Sequence, residues 1–348
     1  MINKKLLAEI CEVAGAPGHE QRVREIVIKQ VKPLVDEIRT DNMGNVVAIK
    51  KGKERKKVMI AAHMDEIGFI VTHVDDQGFI YFHTLGGFDP KTLTAQRVII
   101  HGKKDVIGVM GSKPIHLMSA ADRAKVPTIK DYFIDTGMTK KELDKLISVG
   151  DTITRDRKLI EMGDCLNCKS MDNRVSVFIL IEMLREMKNT PPYDVYAVFT
   201  VQEEIGIRGA NVSAMDINPD FGFGLDTTIA WDTPGSTKQE RVSALGEGAC
   251  IKVMDSSTVC DYRMVAYMKE IAKKKKIKTQ LEILPAGGTD TSGVQRMNPG
   301  GSIAGAVSIP TRHIHQVIEM VNKKDVRAAI DLLRVCVENL DKYNWDFK

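Results

Sequence analysis

Apolar positions recur at helical spacing over residues 3–14 and 20–32, and Gly15-Ala-Pro-Gly18 separates the two patterns. A short strand is expected near Asn45 to Ile49, and a charged turn, Lys51 to Lys57, leads into the apolar run Val58-Met-Ile-Ala-Ala62. From Gly68 to about Gly163 the texture changes to short alternating segments: Phe69–Val74 and Phe79–His83 around Asp75-Asp-Gln-Gly78, then Arg97–His101 and Val106–Met110 around Gly102-Lys-Lys-Asp105. Helical spacing returns at Val175, Phe178, Ile179, Met183 and Leu184, and buried-strand runs recur at Asp194–Val201, Phe221–Leu225 and Gly300–Ile309. Strands alternating with helices on both sides of a β-rich stretch predict an α/β fold: a doubly wound mixed sheet with a small inserted β-barrel. The expected division is 1–67 with 164–348 for the main domain, and 68–163 for the insertion.

Polar residues of particular kinds stand where these runs stop. Val58–Ala62 ends at His63-Met-Asp65, Asp194–Val201 at Glu203-Glu204, Phe221–Leu225 at Asp226, and the run 300–309 leads to His315. Ligands of open α/β sheets bind at the carboxyl ends of strands. Each position has an ordinary reading as well: a solvated Glu pair opening a helix, a helix N-cap at Asp172, a surface loop at His63-Met-Asp65. One sheet edge would nevertheless gather them all. The carboxylates Asp172, Glu204 and Asp226 with the imidazoles His63 and His315 make a usual ligand set for two divalent ions about 3.5–4 Å apart. Glu203 is then left over as a base. His73, His83, His101 and His116 fall in the β-rich stretch and are expected to be packing or surface residues.

Composition narrows the field. A chain of 348 residues allows two domains, and 43% hydrophobic with 28% charged residues is ordinary for a globular protein. No apolar run approaches the length of a membrane span, and the first residues resemble an amphipathic helix, so a cytoplasmic protein is expected. The net charge of +4 is too diffuse for nucleic acid, and the run Lys273 to Lys276 suits the end of a helix. Six cysteines form no disulfide scaffold, and Cys165-Leu-Asn-Cys168 has no second pair at zinc-site spacing. There is no His-Glu-x-x-His pair, no Gly-x-Ser-x-Gly elbow, no P-loop and no dinucleotide fingerprint.

The segments His63-Met-Asp-Glu-Ile-Gly68, Gly86-Gly-Phe-Asp-Pro90, Gly108-Val-Met-Gly-Ser-Lys-Pro114, Met171-Asp-Asn-Arg174, Gln202-Glu-Glu-Ile-Gly206, Gly287-Gly-Thr-Asp290 and Ile309-Pro-Thr-Arg-His-Ile-His315 resemble the tetrahedral (TET-type) metalloaminopeptidases. These include glutamyl, leucyl and deblocking aminopeptidases, and some members carry an endoglucanase label. The resemblance runs along nearly the whole chain in the same order. It implies a zinc- or cobalt-dependent exopeptidase, with manganese as a further candidate, acting on short unfolded peptides. It also implies a PDZ-like insertion used in assembly and a closed homo-oligomer, a dodecamer. Asp172 would bridge the ions, His63 and Asp226 would complete one site, and Glu204 and His315 the other. Glu203 would be the general base toward the bridging water, and Asp65 would orient His63. The Asp172-Asn173 peptide would be cis. Two departures from the family pattern, Asn173 and Gln316-Val317, bear on local geometry and substrate preference.

Three other readings stay open from the residues. A glycosidase needs two carboxyls about 5–9.5 Å apart and no histidine ligands. A related two-metal carboxypeptidase or deacylase would need a cation for the substrate carboxylate, for which Arg312 is the candidate. A self-assembling shell with an inert site is the third.

Overall fold

Alternate residues of the strand Glu54–His63 face two different cores. Val58, Ile60 and Ala62 pack with Phe178 and Ile181, while Met59 and Ala61 pack with Ala214, Ile217 and Val294. A strand buried on both faces carries a continuous apolar run, and this one requires helices on both sides of its sheet. A computed structural model of the chain describes residues 2–347. The helix Met171–Glu186 covers one face, and Arg208–Ile217 with Asp290–Arg296 cover the other.

The large sheet has eleven strands. Its centre is four parallel strands in the order Tyr193–Thr200, Glu54–His63, Phe221–Ile229 and Ile303–Arg312. Antiparallel pairings flank them: Val46–Lys50 joins Tyr193–Thr200 on one side, and on the other Glu319–Asn322 joins Ile303–Arg312 and Cys165–Cys168 joins Glu319–Asn322. Ala249–Met254 also pairs antiparallel with Ile303–Arg312, and Thr279–Ile283 lies parallel to it. The insertion is a closed six-stranded barrel running from Gly68 to Arg155. Phe69, Val71, Val98, Ile100, Ile134 and Ile153 fill it. The chain then rejoins the large sheet at Ile160–Met162. Both expected hairpins pair as read, and the positive φ of Gly78 (94°) makes the first turn.

Several boundaries differ from the pattern reading. Residues 54–57, expected in a charged turn, are the exposed start of a strand. Asp226 was placed beyond its strand but lies inside Phe221–Ile229, paired with Ser308. At Gly222 and Gly224 on the same strand an added Cβ would stand 2.2 Å from Val294 and 1.9 Å from Thr291, so the helix Asp290–Arg296 packs directly on it. Lys273–Lys275 end the helix Tyr262–Lys275 as expected. All six cysteines are free thiols. Among the described residues no helix is long and apolar enough to cross a membrane.

Candidate metal centre

The register of the parallel strands sets the site. Thr200 pairs with His63, so the two strand ends lie side by side. The adjacent strand carries Asp226, and the turn after Ile303–Arg312 carries His315. Asp172 does not cap a helix. Its φ and ψ (−77°, 106°) are extended, its peptide to Asn173 is cis, and its carboxylate faces two imidazoles.

Asp172 stands between the histidines. Its Oδ1 is 3.5 Å from Nε2 of His63, and its Oδ2 is 3.4 Å from Nε2 of His315. Nε2 of His63 is also 3.8 Å from Asp226 and 3.7 Å from Glu203, and Nε2 of His315 is 3.5 Å from Glu204. Nitrogen–oxygen hydrogen bonds cluster at shorter distances, near 2.7–3.2 Å. Two ligands on one tetrahedral ion, each about 2.0–2.1 Å from it, stand about 3.3–3.4 Å apart. The spacing thus suits coordination better than hydrogen bonding. Oε1 of Glu204 is buried without a partner, which leaves it free to coordinate.

Charge tells the same story. Burial pushes Glu203 and Asp226 well above the carboxylate range and Glu204 to about 7, against the pull of the imidazoles. Burial would depress both imidazoles, but the adjacent Asp172 carboxylate and its acidic neighbours overcome it. His63 is raised well above its ordinary value and His315 to about 10. Asp172 is the exception, since His315 and His63 hold it well below the carboxylate range despite burial. Crowded carboxylates in a low dielectric demand positive charge, and divalent ions supply it more fully than protons.

The turn that carries the glutamates is fixed from outside. Gln202 takes a positive φ (55°), ending the strand, and the Asp65 carboxylate accepts the N–H of Glu203 at 3.0 Å and of Glu204 at 3.1 Å. Both side chains therefore enter one cavity of about 510 Å³. The backbone carbonyl of Asp65 is 3.1 Å from Nδ1 of His63, closer than its carboxylate at 3.4 Å. Asn173, the departure beside Asp172, donates its amide to the carbonyl of Leu225 at 2.8 Å, a bond an ionised aspartate could not make. It ties the start of the helix to the strand of Asp226. A buried ion pair, Lys169 with both oxygens of Glu66 at 2.6 and 2.7 Å, ties the loop after His63 to the segment before Asp172.

Histidines of the insertion stay away from this site: His73, His83 and His116 are exposed, and His101 binds Asp105 and Thr154. Arg312 is committed to Asp232 through two bonds of 2.6 and 2.7 Å. Pattern reading gave no role to Glu319, Arg155, Asp290 or Lys252, although Asp290 closes the segment Gly287-Gly-Thr-Asp290. Glu319 had a signal, a lone carboxylate inside the apolar run Val317-Ile-Glu-Met-Val321. Asp290 accepts the hydroxyl of Thr200 beneath the cluster. Lys252 lines the cavity but is paired with Asp255 and Glu282, both at 3.0 Å.

A two-faced α/β sheet with an inserted barrel and a carboxylate–imidazole cluster at its carboxyl edge is the architecture of an aminopeptidase group. Residues 44–332 match the M42 glutamyl aminopeptidases, and the chain belongs to that family of peptide hydrolases. It is 32% identical to the lysyl aminopeptidase of Pyrococcus furiosus, with 98% of each chain covered. An aminopeptidase structure from the archaeon Desulfurococcus kamchatkensis superposes with a TM-score of 0.92 at 37% identity, covering 96% of this chain and 94% of that one. The TET1 peptidase of Pyrococcus horikoshii, which can assemble into a tetrahedron or a large octahedral shell, superposes with a TM-score of 0.85 at 28% identity, covering 96% and 98%.

Proposed function

We propose that this chain is a two-metal aminopeptidase that removes N-terminal residues from short, unfolded peptides. The observation that carries the reading is the placement of His63 and His315 at opposite oxygens of Asp172. His63 and Asp226 would hold one ion, Glu204 and His315 the other, with Asp172 shared. Imidazole and carboxylate donors suit zinc or cobalt, with manganese as a third candidate. Two such ions would polarise the scissile carbonyl and acidify water in the site.

The protein's own residues do the rest. Glu203 is a buried carboxylate that lines the cavity beside His63, placed to take a proton from the attacking water and return it to the leaving amine. Asp65 holds the turn that directs Glu203 and Glu204 into the cavity. Among the described residues lining the cavity, Lys252 is already neutralised by two carboxylates, so a substrate's C-terminal carboxylate finds no spare cation. A free α-amine meets a cluster rich in carboxylates instead. The test is a pair of peptides, one blocked at the N-terminus and one at the C-terminus. Only the second should be cleaved, and cleavage of the first alone would make the enzyme a carboxypeptidase or deacylase.

The division into a catalytic part, 1–67 with 164–348, and an assembly part, 68–163, belongs to this reading. Ile107, Val109, Ile115, Leu117 and Val126 of the insertion are exposed, which suits burial against other copies. We infer a closed homo-oligomer, a tetrahedral dodecamer, whose active sites face an inner chamber, at work in the cytoplasm where free thiols persist. Light scattering that finds only monomer at micromolar concentration would remove the assembly.

A further inference from the structure

The backbone of His315 is held on both sides by residues with no part in the proposed chemistry. His315 has a positive φ of 62°, as does His313 at 60°, a conformation that residues with a Cβ rarely adopt. Such a conformation persists when surrounding groups over-determine it. Two groups do so here. Glu319, on the strand Glu319–Asn322, accepts the N–H of His315 on Oε1 at 2.9 Å and the N–H of Asp172 on Oε2, also at 2.9 Å. Arg155, at the end of the last barrel strand, donates Nη1 to the carbonyl of His315 at 3.2 Å.

Arg155 is 2% exposed, and its Nε and Nη2 have no hydrogen-bond partner. A buried guanidinium left partly unsatisfied is costly and is poorly explained by stability alone. It lies over the ring of Phe88, 5.4 Å from the centroid. The barrel thus delivers one side of a grip whose other side comes from the large sheet.

We propose that Glu319 and Arg155 are positioning residues that clamp the backbone of His315, fix its imidazole relative to Asp172, and couple the barrel to the His315–Glu204 half of the metal centre. This rests on the two-ion reading above. Neither residue would touch an ion or the substrate.

The test is calorimetric titration of metal-free protein with cobalt(II), followed in parallel by the visible absorption of the bound ion. His315→Ala identifies which binding step belongs to that half. Glu319→Gln keeps the side-chain shape but opposes one N–H with its own amide, so it should weaken that step about 10–100-fold. Glu319 also holds the N–H of Asp172, which serves both ions in the two-ion reading, so selectivity is read in Arg155→Met, whose side chain holds His315 alone. That variant should weaken the His315 step while the other stays within about threefold, with the cobalt band of the His315 half altered and the thermal midpoint near wild type, and it carries the test alone if Glu319→Gln does not fold. Unchanged titrations in both variants, or equal weakening of both steps in folded Arg155→Met, overturn the clamp. A wild-type protein that binds fewer than two ions fails the two-ion reading and the clamp with it.

Discussion

Asp65 accepts the backbone N–H of Glu203 at 3.0 Å, and its second oxygen takes the N–H of the next residue, Glu204. One carboxylate therefore decides where two others point. Adjacent residues in a regular strand face opposite ways, and here the strand has ended at Thr200. Asp65→Asn would set an amide N–H against one of those backbone donors and let that glutamate turn. Turnover should fall about 10–100-fold while the protein stays folded. Turnover at the wild-type level would show that the turn holds without Asp65.

The glutamate pair supplies an internal control. Glu203→Gln should keep both ions and substrate affinity while kcat falls about 10²–10⁴-fold, because an amide cannot accept the water's proton. Glu204→Gln should lose or weaken one ion. Metal analysis giving the opposite pattern would reverse the two roles.

Stability of the metal-free protein should depend on pH in one direction across the neutral range. Glu204 is raised to about 7 and His315 to about 10, so the folded state binds more protons than the unfolded chain between their ordinary and raised values. Stability from these groups is present at pH 4.5 and is lost as pH rises through 7 and then 10. The thermal midpoint of metal-free protein should therefore be lower at about pH 8 than at about pH 5, and added zinc should raise it more at the higher pH. A zinc effect that is largest at the lower pH would contradict the proton–metal exchange.

Much of the site was legible because parallel strands leave few places for chemistry. Val58–Ala62 and Asp194–Val201 announced two buried strands, and the polar residues after them had to lie at the carboxyl edge. Asp226 was harder, since a strand continued by Asp-Thr-Thr looks ended until glycine-mediated helix packing is known. Arg155 was invisible for another reason. It holds the carbonyl of a residue 160 positions away, which no local pattern encodes, and the lone carboxylate of Glu319 gave no sign that one of its two backbone partners lies 147 positions away. Asn173 stood out in the sequence only as a departure bearing on local geometry, yet its amide makes a bond that an ionised aspartate cannot.

Removal of Asp172, the ligand proposed to serve both ions, should be worse than removal of a ligand proposed for one. Asp172→Ala should prevent stable loading of two ions, whereas Asp226→Ala should spare the His315 half. Equal stoichiometry in both variants, measured by elemental analysis after dialysis, would deny Asp172 its shared position.

The account stands most directly on where the ions sit. Anomalous diffraction from crystals of cobalt-loaded protein should give two peaks per chain flanking Asp172, one beside His63 and Asp226 and one beside His315 and Glu204. A single peak, or two peaks that do not share Asp172, would contradict it.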